Sequence, residues 1–575
     1  MKLITRDAII NILRDHKEAF CLAILVGLIV VFPQAYFRYD NQGIYQGIDM
    51  ISPHEETFYT SRVQEAREGH FNLSGTLFKE GKQDPYLQPP LGEILVASAG
   101  RMFFLDLNNT ILLARFIFPF LAFLAAYAFV FLISKEKLIA LAASTTIFLA
   151  DIFFNREVFL SIFKLLQGRI PSLPMDFLQL YRPVHPQVSS FFFFLFLFFF
   201  WLFYEKKEWR FGILSAFVLG LSFYIYSYLW TFLLTFWIIV LSILFFQKRW
   251  ILFKKMIITL LLGSLLILPL FLNYYHILSH PNGNDLFERL VLNEIPREPH
   301  FSLSMILLLV AFLIFFPQNW KKRYYFLLAS LLVPFILYNQ QLITGRNLQV
   351  AHYWRYYRLP LAIIMFVILF FSHFSLNEKL KRFKKPLPFL IIGTSVLIGI
   401  SIQFSSYIAH KTDILSFQRY APLLEYLNRD IPPEAVIFSD LNLSSFIPTY
   451  TKLNVFSHDI PDYLAVSKER LIETYFLYRR LEGLKEEDAL ETFSGNKKEV
   501  SRRIFGNTVI PNETLHSLSQ KYGQFIQISL DGVLKKYGVN YVVWDAKNFP
   551  SWSLEGYQFL EKVYQEEEFK IFKVL

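Results

Sequence analysis

About eleven strongly apolar runs, most of roughly 18 to 21 residues, recur along the first 405 residues, with short basic clusters between many of them. A helix of that length and composition can cross the hydrocarbon of a bilayer, and a backbone in lipid must satisfy its own hydrogen bonds. The expectation is therefore a mainly α polytopic membrane protein. Spans are predicted near 19–37, 110–133, 138–154, 187–204, 211–227, 229–246, 256–275, 302–317, 324–342, 357–374 and 387–405. The Phe-rich run 191–203 reads most simply as lipid-facing bulk. With 54% hydrophobic residues and 64 phenylalanines, the chain is too apolar for one soluble domain.

Charge placement sets the expected topology. With a cytoplasmic N-terminus, the inward loops are Ser134–Lys137, Glu205–Arg210, Gln247–Lys255, Gln318–Arg323 and Asn377–Lys385. All five are short and rich in Lys or Arg, as the positive-inside rule requires. This placement accounts for the net charge of +10 without nucleic acid. The basic amphipathic stretch Lys2, Arg6, Arg14, Lys17 before the first span reads as an uncleaved signal anchor. Cys21 is the single cysteine, which excludes an intrachain disulfide and cysteine-built metal sites.

The outer side then holds 38–109, 155–186, 276–301, 343–356 and the tail. Residues 1–407 form the expected membrane domain with its first outer loop at 38–109. Residues 408–575 form a soluble extracytoplasmic α/β domain. In that tail short apolar runs (436–438, 541–544) alternate with helix-like stretches such as 466–486, without a phosphate loop, nucleophile elbow or clustered metal ligands. It reads as a structural or acceptor-recognition module.

The first outer loop carries the candidate catalytic acids. In Ser52-Pro53-His54-Glu55-Glu56, Ser52 suits an N-cap, Pro53 the first helical position and Glu55 the third, predicting a helix to about Glu68 stopped by Gly69. Glu55, Tyr59 and Arg62 share one face of it, and Glu56 lies on the neighbouring face. Helix capping alone would also account for Glu55. The loop's later part, from Gln88 to Leu105, reads as an interfacial helix. Asp40, Asp49, Glu55 and Glu56 could bind a divalent cation through oxygen, although no EF-hand spacing is present. His276, His280 and His300 match no metal template.

Outer-face Arg and His supply the opposite charge: Arg182 and His185 in Tyr181-Arg182-Pro183-Val184-His185-Pro186, and Arg346, His352 and Arg355 downstream. Arginine's planar fork suits phosphate oxygens, although Arg and Tyr also mark the headgroup belt without binding a ligand. Arg358, beside a span, reads as a belt residue. An acid facing cations suggests sugar transfer from a polyprenyl-phosphate donor. The phosphate is already a good leaving group, the cations stabilise its charge, and one carboxylate deprotonates the acceptor hydroxyl.

In this arrangement the chain resembles the polytopic GT-C glycosyltransferases, the group that includes protein O-mannosyltransferases and the aminoarabinose transferase of lipid A. The resemblance rests on Glu55-Glu56 after the first span, where the family commonly has Asp-Glu, on Pro89-Pro90-Leu91, and on a C-terminal extracytoplasmic domain. It implies a hexosyl- or pentosyltransferase acting at the outer side of a prokaryotic plasma membrane. Glu55 takes the place of the catalytic aspartate and Glu56 that of its acidic neighbour. Because Glu reaches one methylene further, Glu56 or Asp49 could serve as base instead. Asp49, Tyr59, Arg62, Arg182, His185, Arg346, His352 and Arg355 are the substrate-binding candidates. A single displacement would invert the anomeric centre. The acceptor is left open as protein, lipid or glycan.

The rival classes are a lipid-linked saccharide flippase and a non-catalytic scaffold. A flippase places ionisable residues at mid-depth in its spans, whereas here the acids gather in the first outer loop. The topology has a direct check, since 211–246 is one apolar stretch with no polar break. Reporter fusions in 247–255 and at the C-terminus are expected to report opposite sides of the membrane. A reporter in 247–255 that signals from the outer side would mean that 211–246 crosses once.

Overall fold

A computed structural model describes residues 6–50, 55–154, 176–290, 297–316, 321–346, 349–376, 382–458, 464–506 and 510–575. Among these, eight helices are long and apolar enough to cross a membrane: Lys17–Asp40, Leu107–Ser134, Gln187–Lys206, Ser227–Phe246, Trp250–Leu278, Lys321–Thr344, Val350–Ser372 and Pro386–Asp430. Three of the predicted spans are shorter apolar helices, Lys137–Leu149, Trp209–Ser222 and Leu303–Phe315. The fold is thus a helical membrane-type bundle followed by a small mixed α/β unit.

The unbroken apolar stretch 211–246 does form two helices. The turn lies at Phe223–Tyr226, where Tyr224 N donates to Leu221 O and Ile225 N to Ser222 O. Nothing polar marks this break because a distant segment satisfies it: Leu91 N donates to the Tyr224 carbonyl at 2.8 Å. Basic loops meet in pairs. Lys384 pairs with Glu136, Lys255 Nζ donates to Lys207 O, and Arg249 Nη1 donates to the Tyr204 hydroxyl.

The Phe-rich helix corrects the expectation of lipid-facing bulk. Gln187–Lys206 is the most buried of the eight, and Phe193, Phe194, Phe196, Phe200 and Phe203 are all inside the bundle. It packs against Leu107–Ser134 and Trp209–Ser222. Its rings meet Phe232, Phe236, Trp237 and Phe326 in edge-to-face and tilted geometry, with centroids 4.7–6.4 Å apart. Aromatic edges complement aromatic faces, so a run that looks lipophilic becomes the centre of the core.

The acidic helix spans Glu55–Glu68, and Gly69 follows with φ +102°, a left-handed stop as expected. Ser52 and Pro53 of the expected cap lie outside the described residues. A second helix, Leu91–Met102, packs on it through a buried ion pair, Arg62 Nε to Glu93 Oε1 at 2.6 Å. Arg62 also donates to the carbonyls of Leu73 and Gln88.

In the tail, strands β1 (Val436–Phe438), β2 (Asn454–Val455), β3 (Val539–Asp545), β4 (Leu560–Glu566) and β5 (Phe569–Val574) form one sheet in the order β2-β1-β3-β5-β4. The pairs β1–β2 and β1–β3 are parallel, and the pairs with β5 are antiparallel. The first loop enters this unit directly. Ile48, Phe58, Leu77 and Phe78 share one core with Leu423, Leu427, Phe446 and Ile571, and Val455 N donates to Leu77 O. The helix Pro386–Phe417 runs unbroken through the expected domain boundary at 407.

Arg62→Ala would leave the Glu93 carboxylate buried without its counter-charge, an effect of about 3–5 kcal/mol. A marked fall in the thermal unfolding midpoint of the lipid-embedded protein is the expected outcome. Replacing both partners by leucine should restore most of that fall.

Candidate functional site

A hydrogen-bonded chain of charges crosses the top of the bundle. Asp49 accepts from Arg38 through both carboxylate oxygens, at 2.7 and 2.6 Å, and from the Tyr45 hydroxyl at 2.9 Å. Gln34 Nε2 donates to the same carboxylate at 2.5 Å, while Gln34 Oε1 accepts from Arg115 Nη1 at 2.5 Å. Arg115 Nη2 then donates to Glu56 Oε2 at 2.9 Å. Its Nε donates to Tyr181 O, and its guanidinium carbon lies 3.8 Å from the centroid of the Tyr181 ring. Gln34, Asp49, Glu56 and Arg115 are all buried.

Arg115, in Leu-Leu-Ala-Arg-Phe-Ile-Phe, is an anomalous charge inside a span. It ties the Leu107–Ser134 helix to the first span, to the acidic helix and to Tyr181. Glu56 is therefore held as a counter-ion. The Glu55 side chain lies outside the described residues, while its backbone begins the same helix.

One turn along from Glu56, Tyr59 enters a compact aromatic and cationic cluster. The Arg182 guanidinium carbon lies 5.4 Å from the Tyr59 ring centroid, its Nε donates to His185 O, and its Nη2 donates to the Tyr356 hydroxyl at 2.9 Å. His185 stacks on Tyr226 at 4.4 Å and meets Tyr59 edge-on at 5.7 Å. It is fully buried, and neither ring nitrogen has a hydrogen-bond partner among the described residues. Burial, with Arg182 and Arg62 nearby, holds its imidazole well below the ordinary histidine range, so the ring is neutral. A neutral imidazole keeps one N–H donor and one lone pair, and here both are unspent.

The backbone is shaped to place that ring. Val184 takes φ +64°, a left-handed conformation that a β-branched residue adopts only under strain. Gly92 lies against the other side. A Cβ there would come within 2.9 Å of Val184 Cγ1 and 3.1 Å of His185 Cε1, so glycine permits this approach.

His352 reaches the cluster from the Val350–Tyr353 turn, ahead of a π-helical segment at Trp354–Arg358. Its Nε2 pairs with Gln349 Oε1 and its Nδ1 with the Tyr226 hydroxyl, each at 2.6 Å. Since Gln349 Oε1 can only accept, Nε2 carries the proton and Nδ1 accepts from Tyr226. Both nitrogens are engaged, so His352 orients Tyr226.

The structure thus brings together Tyr59, Arg182, His185 and His352, with Glu56 a turn away. Arg346 is exposed, near the Phe287 ring, and Arg355 is exposed with its charge acting on Asp151. Arg62 is spent on Glu93 and two carbonyls, so its place is structural, a correction to its candidacy as a ligand for substrate. Arg358 donates to Ser304 and is buried, outside the cluster. Asp40, Asp49 and Glu56 are paired with Lys411, Arg38 and Arg115. A divalent cation on these carboxylates would have to displace those cations. The residues missed from sequence are Arg115, Gln34, Tyr226, Tyr356 and Gly92.

No known sequence family matches the chain, and no curated protein matches it in sequence. Solved structures do. The chain is similar to the oligosaccharyltransferase of Archaeoglobus fulgidus in its apo form, with 12% identity and a TM-score of 0.46 over 92% of this chain and 70% of that one. It is also similar to ArnT of Cupriavidus metallidurans. The apo structure gives 11% identity and a TM-score of 0.45, and the structure bound to undecaprenyl phosphate gives 10% and 0.46. Each covers 96% of this chain and 97% of ArnT.

Proposed function

We propose that this chain is an inverting membrane glycosyltransferase that takes a sugar from a polyprenyl-phosphate donor at the extracytoplasmic side of a prokaryotic plasma membrane. The observation that carries the reading is His185, a neutral buried imidazole whose two nitrogens have no partner among the described residues, beside the Arg182 guanidinium. Leaving such a ring unsatisfied costs free energy unless a ligand supplies the partners. A phosphate oxygen suits the N–H of His185, and the positive charge of Arg182 lies beside it.

In this reading the departing phosphate gains charge against Arg182 and His185, with Tyr226 held in place by His352. Glu55 removes the proton from the acceptor hydroxyl as that oxygen attacks the anomeric carbon. The C–O bond to phosphate breaks as the new glycosidic bond forms, with inversion. Glu56 stays ionised against Arg115 and fixes the start of the acidic helix, which makes it a positioning residue. Asp49, bound to Arg38, does the same for the end of the first span. The ligand is proposed to meet Tyr59 and Arg182, and Arg346 and Arg355 are left to the rim.

Glu55→Gln is expected to lower sugar transfer by about 10²–10⁴-fold, the range for loss of a general base, with the unfolding midpoint unchanged. Glu56→Gln should lower the midpoint as well, because Arg115 loses its counter-charge. Full transfer by the double variant would remove both carboxylates from the chemistry. His185→Phe keeps the stack on Tyr226 and removes both nitrogens. Its expected effect is a fall of about tenfold or more in kcat/KM for the lipid donor, and a wild-type value would take His185 out of the site.

A further inference from the structure

Two adjoining open clefts of about 620 and 630 Å³, each lined by Asp84 and His280, make up a trough. Its walls come from three parts of the chain: the first loop at 72–85, the helix end and turn at 269–282, and the tail at 465–470 and 536–538. The trough is built. Asn273 donates to Tyr86 O at 2.7 Å and accepts from Tyr86 N at 3.1 Å, and Asn282 Nδ2 donates to Ala465 O. Such fixed walls make a preformed site.

Its walls mix polar and apolar side chains: Gln83, His276 and Ser279 offer amide, imidazole and hydroxyl groups beside Pro85, Pro269, Leu272 and Pro281. Arg470 is paired with Glu80 at 2.8 Å and Lys536 with Glu473 at 2.7 Å, and His280 Nε2 lies 3.5 Å from Asp84 Oδ1. An anionic headgroup or a charged peptide would have to compete with those pairs. A ligand rich in hydroxyls and without charge does not, because it bonds to amides and imidazoles in either direction.

The trough lies within reach of the cluster along the chain. From Tyr86, pinned by Asn273, six residues of chain reach Gly92, which lies against His185. Even fully extended, that segment spans about 20 Å. We infer that this trough seats the acceptor, and that the acceptor is an uncharged oligosaccharide whose growing end reaches toward His185. The inference rests on the sugar-transfer reading for the word acceptor. The glycan site itself stands on the walls of the trough.

The test is retention of the full-length protein, in lipid nanodiscs and without donor, on an array of neutral oligosaccharides, acidic oligosaccharides and peptides. Neutral oligosaccharides are the expected ligands. Gln83→Ala/His276→Ala removes two exposed hydrogen-bonding side chains and should weaken retention about tenfold. Ser279→Trp, at an exposed helix end, fills the trough and should abolish it, with the elution volume and unfolding midpoint of the wild type. Retention of acidic glycans or peptides alone, retention of nothing, or neutral-glycan retention indifferent to both variants would overturn the inference. With no donor present, the outcome is independent of Glu55. Full transfer in Glu55→Gln would end the catalytic assignment and leave glycan retention standing.

Discussion

Everything in the upper bundle turns on one buried guanidinium. Arg115 is fully enclosed, so its charge is tolerated only because its donors meet Glu56, Gln34, Met50 O and Tyr181 O while the Tyr181 ring covers its face. Those partners belong to the first span, the first loop and the segment before the Phe-rich helix. An incomplete set would strand a charge, so the pieces must dock together. The same arginine is the kind of ionisable group that a transporter places in its spans. Here its described partners are protein groups, which makes it a structural junction.

The aromatic cluster depends on that junction for its position. Tyr181 precedes Arg182, and Glu56 precedes Tyr59 by one helical turn, so fixing the first of each pair fixes the second. Arg182 then reaches His185 and Tyr356, and the Tyr226–His352 bond closes the set from another helix. Strain at Val184 and the bare backbone at Gly92 are costs met by the surrounding packing. They leave a neutral histidine whose nitrogens have no partner among the described residues. Rigid walls around unspent hydrogen-bonding groups are what a site needs to bind a developing charge without rearranging.

Much of this was legible in the sequence, for local reasons. Apolar runs of spanning length, Gly69 as a helix stop and the alternating tail each depend on neighbours in the chain. The turn at 223–226 was not legible, because its satisfying donor, Leu91, lies more than 130 residues away. Nor was the burial of the Phe-rich run, since hydropathy does not distinguish lipid from other rings. Arg62 looked like a ligand for substrate because it shares a helix face with Tyr59. Its true partner, Glu93, was hidden behind an intervening loop. Arg115 left the one usable signal, a charge inside an apolar run.

The tail is where the sequence invites a division that the packing refuses. Cutting near 408 would divide the helix Pro386–Phe417 and strip cover from Ile48, Phe58, Leu77 and Phe78, which share a core with the tail. Phe58 lies on the acidic helix between Glu56 and Tyr59, and Thr449 Oγ1 donates to Thr57 O in the same turn. The tail thus braces the turn that presents the candidate acids. A truncated chain that lost activity would therefore not show that the tail recognises an acceptor, because the acids would have lost their support as well. Only changes confined to the trough's exposed side chains separate recognition from support, since they leave that shared core in place.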